Sequence, residues 1–408
     1  MTIFEELTAR GLIAQTSGAE AVQELIDGGK AVFYTGFDPT ADSLTVGHTL
    51  PLIVHRHLQR AGNKPIALVG GGTTMVGDPS GRTDLRQMLT VEQIEANARK
   101  FKEQIGRYVD FSDGKADMLN NADWLMNLNY IEFLRDIGVH FSVNRMLSFD
   151  CFKSRFERGL SFIEFNYMLM QSYDFYKLYK DAGCNLQVGG DDQWGNMLAG
   201  TELIRRKLGK DAHVLTIPLL MTGDGVKMGK SAKGALWVDA EKTSPFEFFQ
   251  YFRNVRDDDA VTFMRRMTFV PLDEIDSEYA PLKDAEVNRA KERLAFELTA
   301  LAHGEEAAAQ ARDASRALFE KGVSDENMPS TSLIDDDLKD GGITIADLLV
   351  KSGLVPSKSD AKRAIEQGGV TVNDVKVDSF TAVFDRAALE KGLVIRKGKK
   401  TYHKVSMG

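Results

Sequence analysis

Three stretches of the sequence carry residue types that handle phosphate. The first is Thr45-Val46-Gly47-His48, which follows an apolar run ending at Phe37 and the turn-forming Asp38-Pro39-Thr40. A strand that leads through a glycine-containing turn into a helix start aims backbone N–H groups and the positive end of the helix dipole at an anion, and here an imidazole joins them. The second is Asp224-Gly225-Val226-Lys227-Met228-Gly229-Lys230-Ser231, two lysines three apart in a glycine-rich loop. Flexible ammonium groups so placed can follow charge developing on a departing pyrophosphate. The third runs from Val69-Gly70-Gly71-Gly72 to Gly77-Asp78-Pro79-Ser80-Gly81-Arg82. It is not a Walker loop, because Asp78-Pro79 follows Gly77, and it lacks the dinucleotide-binding G-x-G-x-x-G pattern. Its glycines admit a ligand close to the backbone, and Arg82 and Arg86 can reach phosphates. Taken singly, a Gly-His pair also reads as a structural turn, and Lys-x-x-Lys as a solvated loop.

A second constellation suits an amino acid. Tyr167, Gln171 and Asp174 fall at i, i+4 and i+7 of a helical pattern between Leu160 and Tyr179, so three hydrogen-bonding groups share one face. A separate stripe of Phe162, Phe165, Leu169, Tyr173 and Tyr176 reads as the packing face. The polar face alone would also fit a solvated surface. Downstream, Gln187-Val188-Gly189-Gly190-Asp191-Asp192-Gln193-Trp194-Gly195-Asn196 crowds carboxylates and amides at a strand end, which is where open α/β sheets bind ligands.

Elements able to position these groups are legible in outline. Up to about residue 240, short apolar runs such as Ala31–Phe37 and Pro65–Val69 alternate with helical patterns, which argues for a mostly parallel α/β sheet. From Ser244 to Lys321 strand signals nearly vanish, and the spacing predicts helices, among them Asn288–Leu301 and Glu305–Phe319. A polar stretch with breakers at both ends, 325–342, reads as a linker. Beyond it come two short helices, 343–349 and 358–367, and β-like runs at 370–372 and 393–395.

With 408 residues, 43% hydrophobic and 27% charged, the chain is a multidomain globular protein and not a disordered one. Its net charge of −8 announces no polyanion partner, yet residues 342–408 carry twelve Lys/Arg against seven Asp/Glu, net +5, which leaves the rest at −13. Cys151 and Cys184 are too far apart for a C-x-x-C pair, which suits a reducing compartment. The start has no apolar signal region and there is no run of about 18 apolar residues, so a cytoplasmic location without a membrane is expected.

Taken together, Tyr34-Thr35-Gly36-Phe37-Asp38-Pro39-Thr40, Thr45 to His48, Gly77 to Ser80, Phe162 to Asp174, Gln187 to Asn196 and Lys227 to Ser231 resemble bacterial tyrosyl-tRNA synthetases, collinearly and over essentially the whole chain. Residues 343–404 resemble an S4 RNA-binding domain. The resemblance implies a Rossmann-like parallel-sheet catalytic domain at 1–240, a helical anticodon-stem domain at 241–324, the linker at 325–342 and an α+β S4-like domain at 343–408. Activation of L-tyrosine by ATP with Mg²⁺, release of diphosphate and transfer of tyrosine to the 3′ end of tRNA(Tyr) would follow, with no tightly bound cofactor. A homodimer built on the sheet domain around residues 122–150 would be the working form.

Carried over residue by residue, the resemblance implies that Tyr34 and Asp174 bond the substrate phenol. Tyr167, Asp78 and Gln171 would hold its ammonium group, and Asn121, Gln187 and Gln193 would complete the polar shell. Gly36, Asp38, Gly47, Gly190, Asp192 and Ser231 would line the ATP site. Thr40, His48, Arg82, Arg86, Lys227 and Lys230 would stabilise the triphosphate, and Lys358, Lys362, Arg363, Arg396, Lys397, Lys399 and Lys400 would meet RNA. Three departures stand out: Thr45 where the family's first signature has histidine, Gly229 where the general motif has serine, and Asp191 where serine is frequent.

Two readings from other classes compete. A T-x-G-H turn also fits a small-metabolite adenylyltransferase, which has little use for the basic tail or the Tyr167–Asp174 face. A non-catalytic RNA-binding relative would have no need of His48, Lys227 and Lys230. Tryptophanyl-tRNA synthetase is the nearest rival within the enzyme class, and the Tyr34/Asp174 pair favours a phenol over an indole.

Overall fold

The computed structural model describes residues 1–78, 89–149, 152, 159–223, 225, 228–231, 234–320, 329–338, 341–373, 375–398 and 401–407. Its first unit is built on six strands: β1 (Gln15–Thr16), β2 (Val32–Phe37), β3 (Lys64–Val69), β4 (Asp117–Asn120), β5 (Leu186–Gly190) and β6 (His213–Ile217). Their spatial order is β1-β6-β5-β2-β3-β4, parallel except for β1 against β6. Near-continuous apolar runs such as Val32-Phe33 and Ile66-Ala67-Leu68-Val69 suit strands covered on both faces. The chain builds outward from β2 through β3 to β4, then returns to the other side of β2 with β5 and β6. The direction of winding therefore reverses between β2 and β5, and the crevice beyond their carboxyl ends is where such sheets hold ligands.

β2 and β5 pair only at Phe33↔Leu186 and Tyr34↔Gln187. Beyond that point the Thr35 hydroxyl bridges the gap, donating to the Val188 carbonyl at 2.8 Å. The helix Val46–Arg60 begins within the Thr45-Val46-Gly47-His48 motif itself and carries Pro51 inside it. The His48 ring accounts for a start at this point, because its Nδ1 accepts the Thr45 backbone N–H at 3.0 Å and so ties the first turn to the residue before it.

The helix Phe162–Ala182 starts at a reciprocal cap, Ser161 with Glu164, and ends at Gly183 in a left-handed conformation. Its buried side is the expected stripe only in part: Leu169 is buried and Phe165, Tyr173 and Tyr176 are half-buried. Phe162 is 73% exposed, whereas Tyr167, Met168, Ser172, Asp174 and Phe175 are buried. The polar face is the inward one because it lines a cavity, and the aromatic stripe packs laterally, as with Tyr173 edge-on to Phe133 at 5.6 Å.

Four longer helices follow, Pro245–Arg253, Asp257–Met267, Val287–His303 and Glu305–Glu320. Phe248, Phe249, Phe252, Phe263, Leu294 and Leu298 from the first three join one apolar core with Leu52, Ile53 and Val54 of the sheet unit.

In the C-terminal unit the strands run Val375–Lys376, Val370–Val372, Leu393–Lys397, Thr401–Met407 and Ser330–Leu333 across the sheet. The helices Ile345–Lys351 and Lys358–Glu366 share a core with this sheet through Leu348, Leu349, Ile365, Val370 and Ile395. Ser330–Leu333, inside the stretch expected as a linker, is an edge strand parallel to 404–407. Only Leu333 of that strand is buried, so its apolar signal is a single residue.

Candidate active site

A cavity of about 830 Å³ opens at the carboxyl ends of β2, β3, β5 and β6. Its walls bring together residues from Tyr34 to Trp237, among them Gly36, Asp38, Thr40, Gly47, His48, Asp78, Asn121, Tyr167, Gln171, Asp174, Gln187, Gly190, Asp192 and Gln193. The backbone of Lys230 and Ser231 forms a short strand against 234–235. Arg82, Arg86 and Lys227 lie outside the described residues.

At one end of the cavity lie Tyr34 on β2 and Asp174 on the helix Phe162–Ala182, 1% and 2% exposed. The Tyr34 hydroxyl has no hydrogen-bond partner among the described residues. Burial pushes this phenol well above its ordinary range, reinforced by the Asp174 carboxyl nearby. Asp174 itself is pushed up to about 7, chiefly by burial, against the opposing pull of hydrogen bonds from Asn121 and Trp124. Asp174 Oδ1 accepts from Trp124 Nε1 at 2.7 Å and Oδ2 from Asn121 Nδ2 at 2.8 Å. Each carboxylate oxygen has a second lone pair, so the group can still accept from a ligand hydroxyl.

The network continues toward the middle of the cavity. Asn121 Nδ2 also donates to Thr73 Oγ1 at 3.0 Å, while Asn121 Oδ1 accepts the Gly72 N–H at 2.8 Å. Thr73 donates to Asp38 Oδ1 at 2.8 Å, and the Tyr167 hydroxyl donates to Asp38 Oδ2 at 3.1 Å. Gly70 is what lets Asp38 and Thr73 meet, since a Cβ there would stand 2.0 Å from Asp38 Oδ1 and 2.5 Å from Thr73 Oγ1. Thr73 and Trp124 were not among the expected site residues. The triple glycine before Thr73 and the paired Asn120-Asn121 before Trp124 are the only local signs of them.

The buried amide oxygens of Gln171 and Gln187 also lack hydrogen-bond partners among the described residues. Gln193 Nε2 donates to Asp78 Oδ2 at 2.7 Å, and Asn196 Nδ2 donates to Gln193 Oε1 at 3.1 Å. A Cβ at Gly36 would meet nothing within 4 Å, so the backbone there faces open space. Asp191 turns away to the sheet edge, where its Oδ1 accepts from Thr216 Oγ1 and Gln15 Nε2, both at 2.7 Å. The extra charge noted in the sequence thus fastens β1 and β6 to the strand end.

At the phosphate side, His48 Nδ1 accepts the Thr45 N–H and lies 3.0 Å from the Thr45 hydroxyl. The ring proton must then sit on Nε2, leaving it as a neutral donor suited to an anion. Thr45 does not replace a second imidazole; it orients the one that remains. Gly229 has φ +90°, a left-handed backbone in which serine would be strained, and this explains the departure at that position.

Of the expected RNA-facing cations, Lys358 pairs with Asp347 at 2.6 Å and Arg363 pairs with Asp360. Lys362 lies 3.9 Å from Glu366, with its ammonium 5.2 Å from the centre of the exposed Phe380 ring. Arg396 Nε donates to Thr371 at 3.2 Å and Lys397 to the Leu354 carbonyl at 2.5 Å. Lys399 and Lys400 lie outside the described residues.

Residues 27–320 match the family model for class I tRNA synthetases (W and Y), and residues 319–405 match that for the C-terminal domain of tyrosine–tRNA ligases. The chain is 59% identical to the tyrosine–tRNA ligase of Acetivibrio thermocellus over 100% of its own length and 99% of the relative's. It is 52% identical to that of Caldanaerobacter subterraneus, with 99% of both chains covered. A C-terminally truncated mitochondrial tyrosyl-tRNA synthetase from Aspergillus nidulans superposes with a TM-score of 0.68 at 32% identity, over 78% of this chain and 94% of that one. A tryptophanyl-tRNA synthetase from Plasmodium falciparum shares the fold at TM-score 0.55 and 14% identity, over 76% and 84%. With the polar Tyr34–Asp174 end of the cavity and the full-length likeness pointing the same way, the chain belongs to the class I tRNA synthetases, in their tyrosine–tRNA ligase branch.

Proposed function

We propose that the chain joins L-tyrosine to ATP, releasing diphosphate, and then passes the tyrosyl group to the 3′ end of tRNA(Tyr). The observation that carries this reading is the pair at the end of the cavity: a buried hydroxyl without a partner among the described residues, Tyr34, beside a buried carboxylate held open to one more donor, Asp174. A phenol satisfies both, donating to Asp174 and accepting from Tyr34. Phenylalanine would leave the Tyr34 hydroxyl desolvated and unpaired, at about 1–3 kcal/mol, and would give Asp174 no donor beyond those of Asn121 and Trp124. Asp78, Tyr167 and Gln171 supply acceptors for the α-ammonium, and Asn121, Gln187 and Gln193 close the polar shell.

The tyrosine carboxylate is already an anion, so attack on the α-phosphate of Mg²⁺-bound ATP needs no protein base. One bond forms from a carboxylate oxygen to phosphorus and the bond to the diphosphate oxygen breaks. The protein's part is to align the two substrates and to aim donors at the charge that moves to the leaving group. Gly36, Asp38, Gly47, Gly190, Asp192 and Ser231 cradle the nucleotide. Thr40, the Nε2–H of His48, Arg82, Arg86, Lys227 and Lys230 meet the triphosphate. The ribose hydroxyl at the end of the tRNA then takes the acyl group and adenylate leaves.

The helical domain and the basic side chains Lys358, Lys362, Arg363, Arg396, Lys397, Lys399 and Lys400 hold the tRNA, in a cytoplasmic homodimer. The domain limits follow the same reading: catalysis in 1–240, anticodon-stem contact in 241–324, a connector at 325–342 and RNA binding in 343–408. The deciding experiment is ATP–pyrophosphate exchange with tyrosine, phenylalanine and tryptophan in turn, without tRNA. Exchange with tyrosine alone, lost in Asp174→Ala, is expected; no exchange with any of the three would overturn the reading.

A further inference from the structure

Two side chains from the helical segment reach back to the loop that carries Lys227 and Lys230. The Tyr251 hydroxyl, on the helix Pro245–Arg253, accepts the Gly229 N–H at 3.1 Å. Asp259 Oδ1, on the helix Asp257–Met267, accepts the Gly223 N–H at 3.0 Å. Gly223 and Gly229 flank the loop's first lysine, one on either side. Neither attachment is incidental. A Cβ at Gly223 would stand 2.9 Å from Asp259 Oδ1, so glycine is what lets the carboxylate close on the backbone. Asp259 is 7% exposed and its Oδ2 has no partner among the described residues, a costly burial for a surface-type residue unless its position matters.

From Tyr251 the connection runs on to the other phosphate-handling motif. The Gly229 carbonyl accepts the Leu236 N–H at 2.7 Å, and the Leu236 carbonyl accepts the Val46 N–H at 3.0 Å. Val46 is the first residue of the helix that presents His48. Three consecutive hydrogen bonds therefore lead from a hydroxyl in the helical segment to the turn bearing the imidazole. The two motifs also touch: a Cβ at Gly229 would come within 3.7 Å of Val46 Cβ and 3.8 Å of the Gly47 nitrogen.

We propose that Tyr251 and Asp259 are positioning residues for adenylate formation. They clip Gly223 and Gly229, which precede and follow Lys227 in the chain, to the helical segment, and Gly229 is thereby held beside the His48 turn. The inference rests on the phosphate role assigned above to that loop. Groups that act on charge appearing only in the transition state should change kcat when displaced, while the tyrosine pocket, built on β2, β5 and the helix Phe162–Ala182, is untouched.

The test is ATP–pyrophosphate exchange by the full chain, comparing Tyr251→Phe, Asp259→Asn and Asp259→Ala, with thermal melts and amide hydrogen exchange over residues 223–231. Removing the Tyr251 hydroxyl is expected to lower kcat about 2- to 12-fold, the equivalent of one net hydrogen bond. KM for tyrosine should stay within about twofold, and exchange at the Gly229 amide should accelerate. Asp259→Asn, which keeps a carbonyl acceptor for Gly223, should retain most of the rate that Asp259→Ala loses. Wild-type kcat in Tyr251→Phe, or a fall in kcat matched by a rise in KM for tyrosine, would overturn the proposal even if Asp259→Ala fails to fold. Absence of tyrosine-dependent exchange in the unmodified chain would instead sink the functional reading, and the proposal with it.

Discussion

Asn121 Nδ2 lies 2.8 Å from Asp174 Oδ2, and the same nitrogen lies 3.0 Å from Thr73 Oγ1. One amide therefore holds the carboxylate at the phenol end and passes the network to Asp38, which Thr73 and Tyr167 both reach. A buried network of this kind fixes each member only if all are satisfied. The two ends of the cavity are thus not independent, and the predictions below follow from how the network is held.

Tyrosine affinity should rise with pH through neutrality. Burial raises Asp174 to about 7 in the empty site. A substrate hydroxyl that donates to this group binds the ionised form, so protonation competes with binding. At pH 6 only about one molecule in ten would be ionised, and KM for tyrosine should be roughly tenfold higher than at pH 8.5. Asp174→Asn should bind weakly and lose the dependence. A flat profile in the unmodified chain would mean that the carboxyl binds as the neutral acid.

Trp124→Phe should weaken tyrosine binding without touching the substrate. It removes the 2.7 Å donor to Asp174 Oδ1. A hydrogen bond to a charged acceptor is worth about 1.5–3 kcal/mol, so KM should rise by roughly 10- to 150-fold. One of the two hydrogen bonds that oppose the upward shift would be gone, so the pH midpoint should move higher still. A KM change with an unmoved midpoint would count against this account.

Much of the cavity could be read from the chain because its residues sit at strand ends and on one helical face. Tyr34, Asp174 and Gln187 are such cases. Thr73 and Trp124 are not, because they lie on a short turn and a four-residue helix and act on partners 35 and 50 positions away. Periodicity placed the helix Phe162–Ala182 but misjudged one end of its packing stripe. It treated Phe162 as core, whereas the side chain is 73% exposed and the polar Tyr167–Asp174 face points inward. Sequence pattern sees apolarity and cannot tell a hollow lined with polar groups from solvent. The strand Ser330–Leu333 escaped for a related reason, since an edge strand with one buried residue carries almost no apolar signal.

Gly70→Ala should remove activity more completely than most substitutions of cavity side chains. Its methyl would stand 2.0 Å from Asp38 Oδ1 and 2.5 Å from Thr73 Oγ1, so one of the two must move. Displacing Asp38 frees Tyr167 as well. We expect exchange to fall by at least about 100-fold, with a melting temperature only a few degrees lower, as for about 1–3 kcal/mol of overpacking. Near-normal exchange would show that the Asp38–Thr73 contact is dispensable.

Exposed apolar side chains between residues 126 and 162 should govern assembly. Met126, Tyr130, Ile131, Val139, Val143 and Phe162 are 55–73% exposed, and large exposed apolar side chains gathered in one stretch of sequence suit an interface. If it is covered by a second copy, Ile131→Asp should shift the species seen by analytical ultracentrifugation from dimer toward monomer at micromolar concentration. A monomer in the unmodified chain would remove the dimer from the proposal.

Mild acid should weaken the fold before the carboxylates that are held low titrate. His55 and His57 are buried and pushed down to about 3, and His303 to about 4, in each case chiefly by burial. A group whose folded pKa lies below its unfolded value stabilises the fold above the unfolded value. That contribution is lost as pH falls, here from about 6.5 down to 3–4. Each such histidine steepens the loss toward about 1.4 kcal/mol per pH unit. Asp174 works the other way: raised to about 7, it favours the folded state as pH falls from 7 to its ordinary value. Three histidines against one carboxyl leaves a net loss, and Asp110 and Glu202, both held low, contribute only at more acidic pH. Denaturant midpoints should therefore fall between pH 7.5 and 5. His55 is the sharpest probe, because its Nε2 lies 2.8 Å from the Thr35 hydroxyl and its Nδ1 has no partner among the described residues. Thr35 already donates to Val188, so Nε2 carries the ring proton and a second proton would have nowhere to bond. His55→Gln should flatten the pH dependence by about half, since three histidines against one carboxyl leave a net slope of about two groups; an unchanged slope would place the acid sensitivity elsewhere.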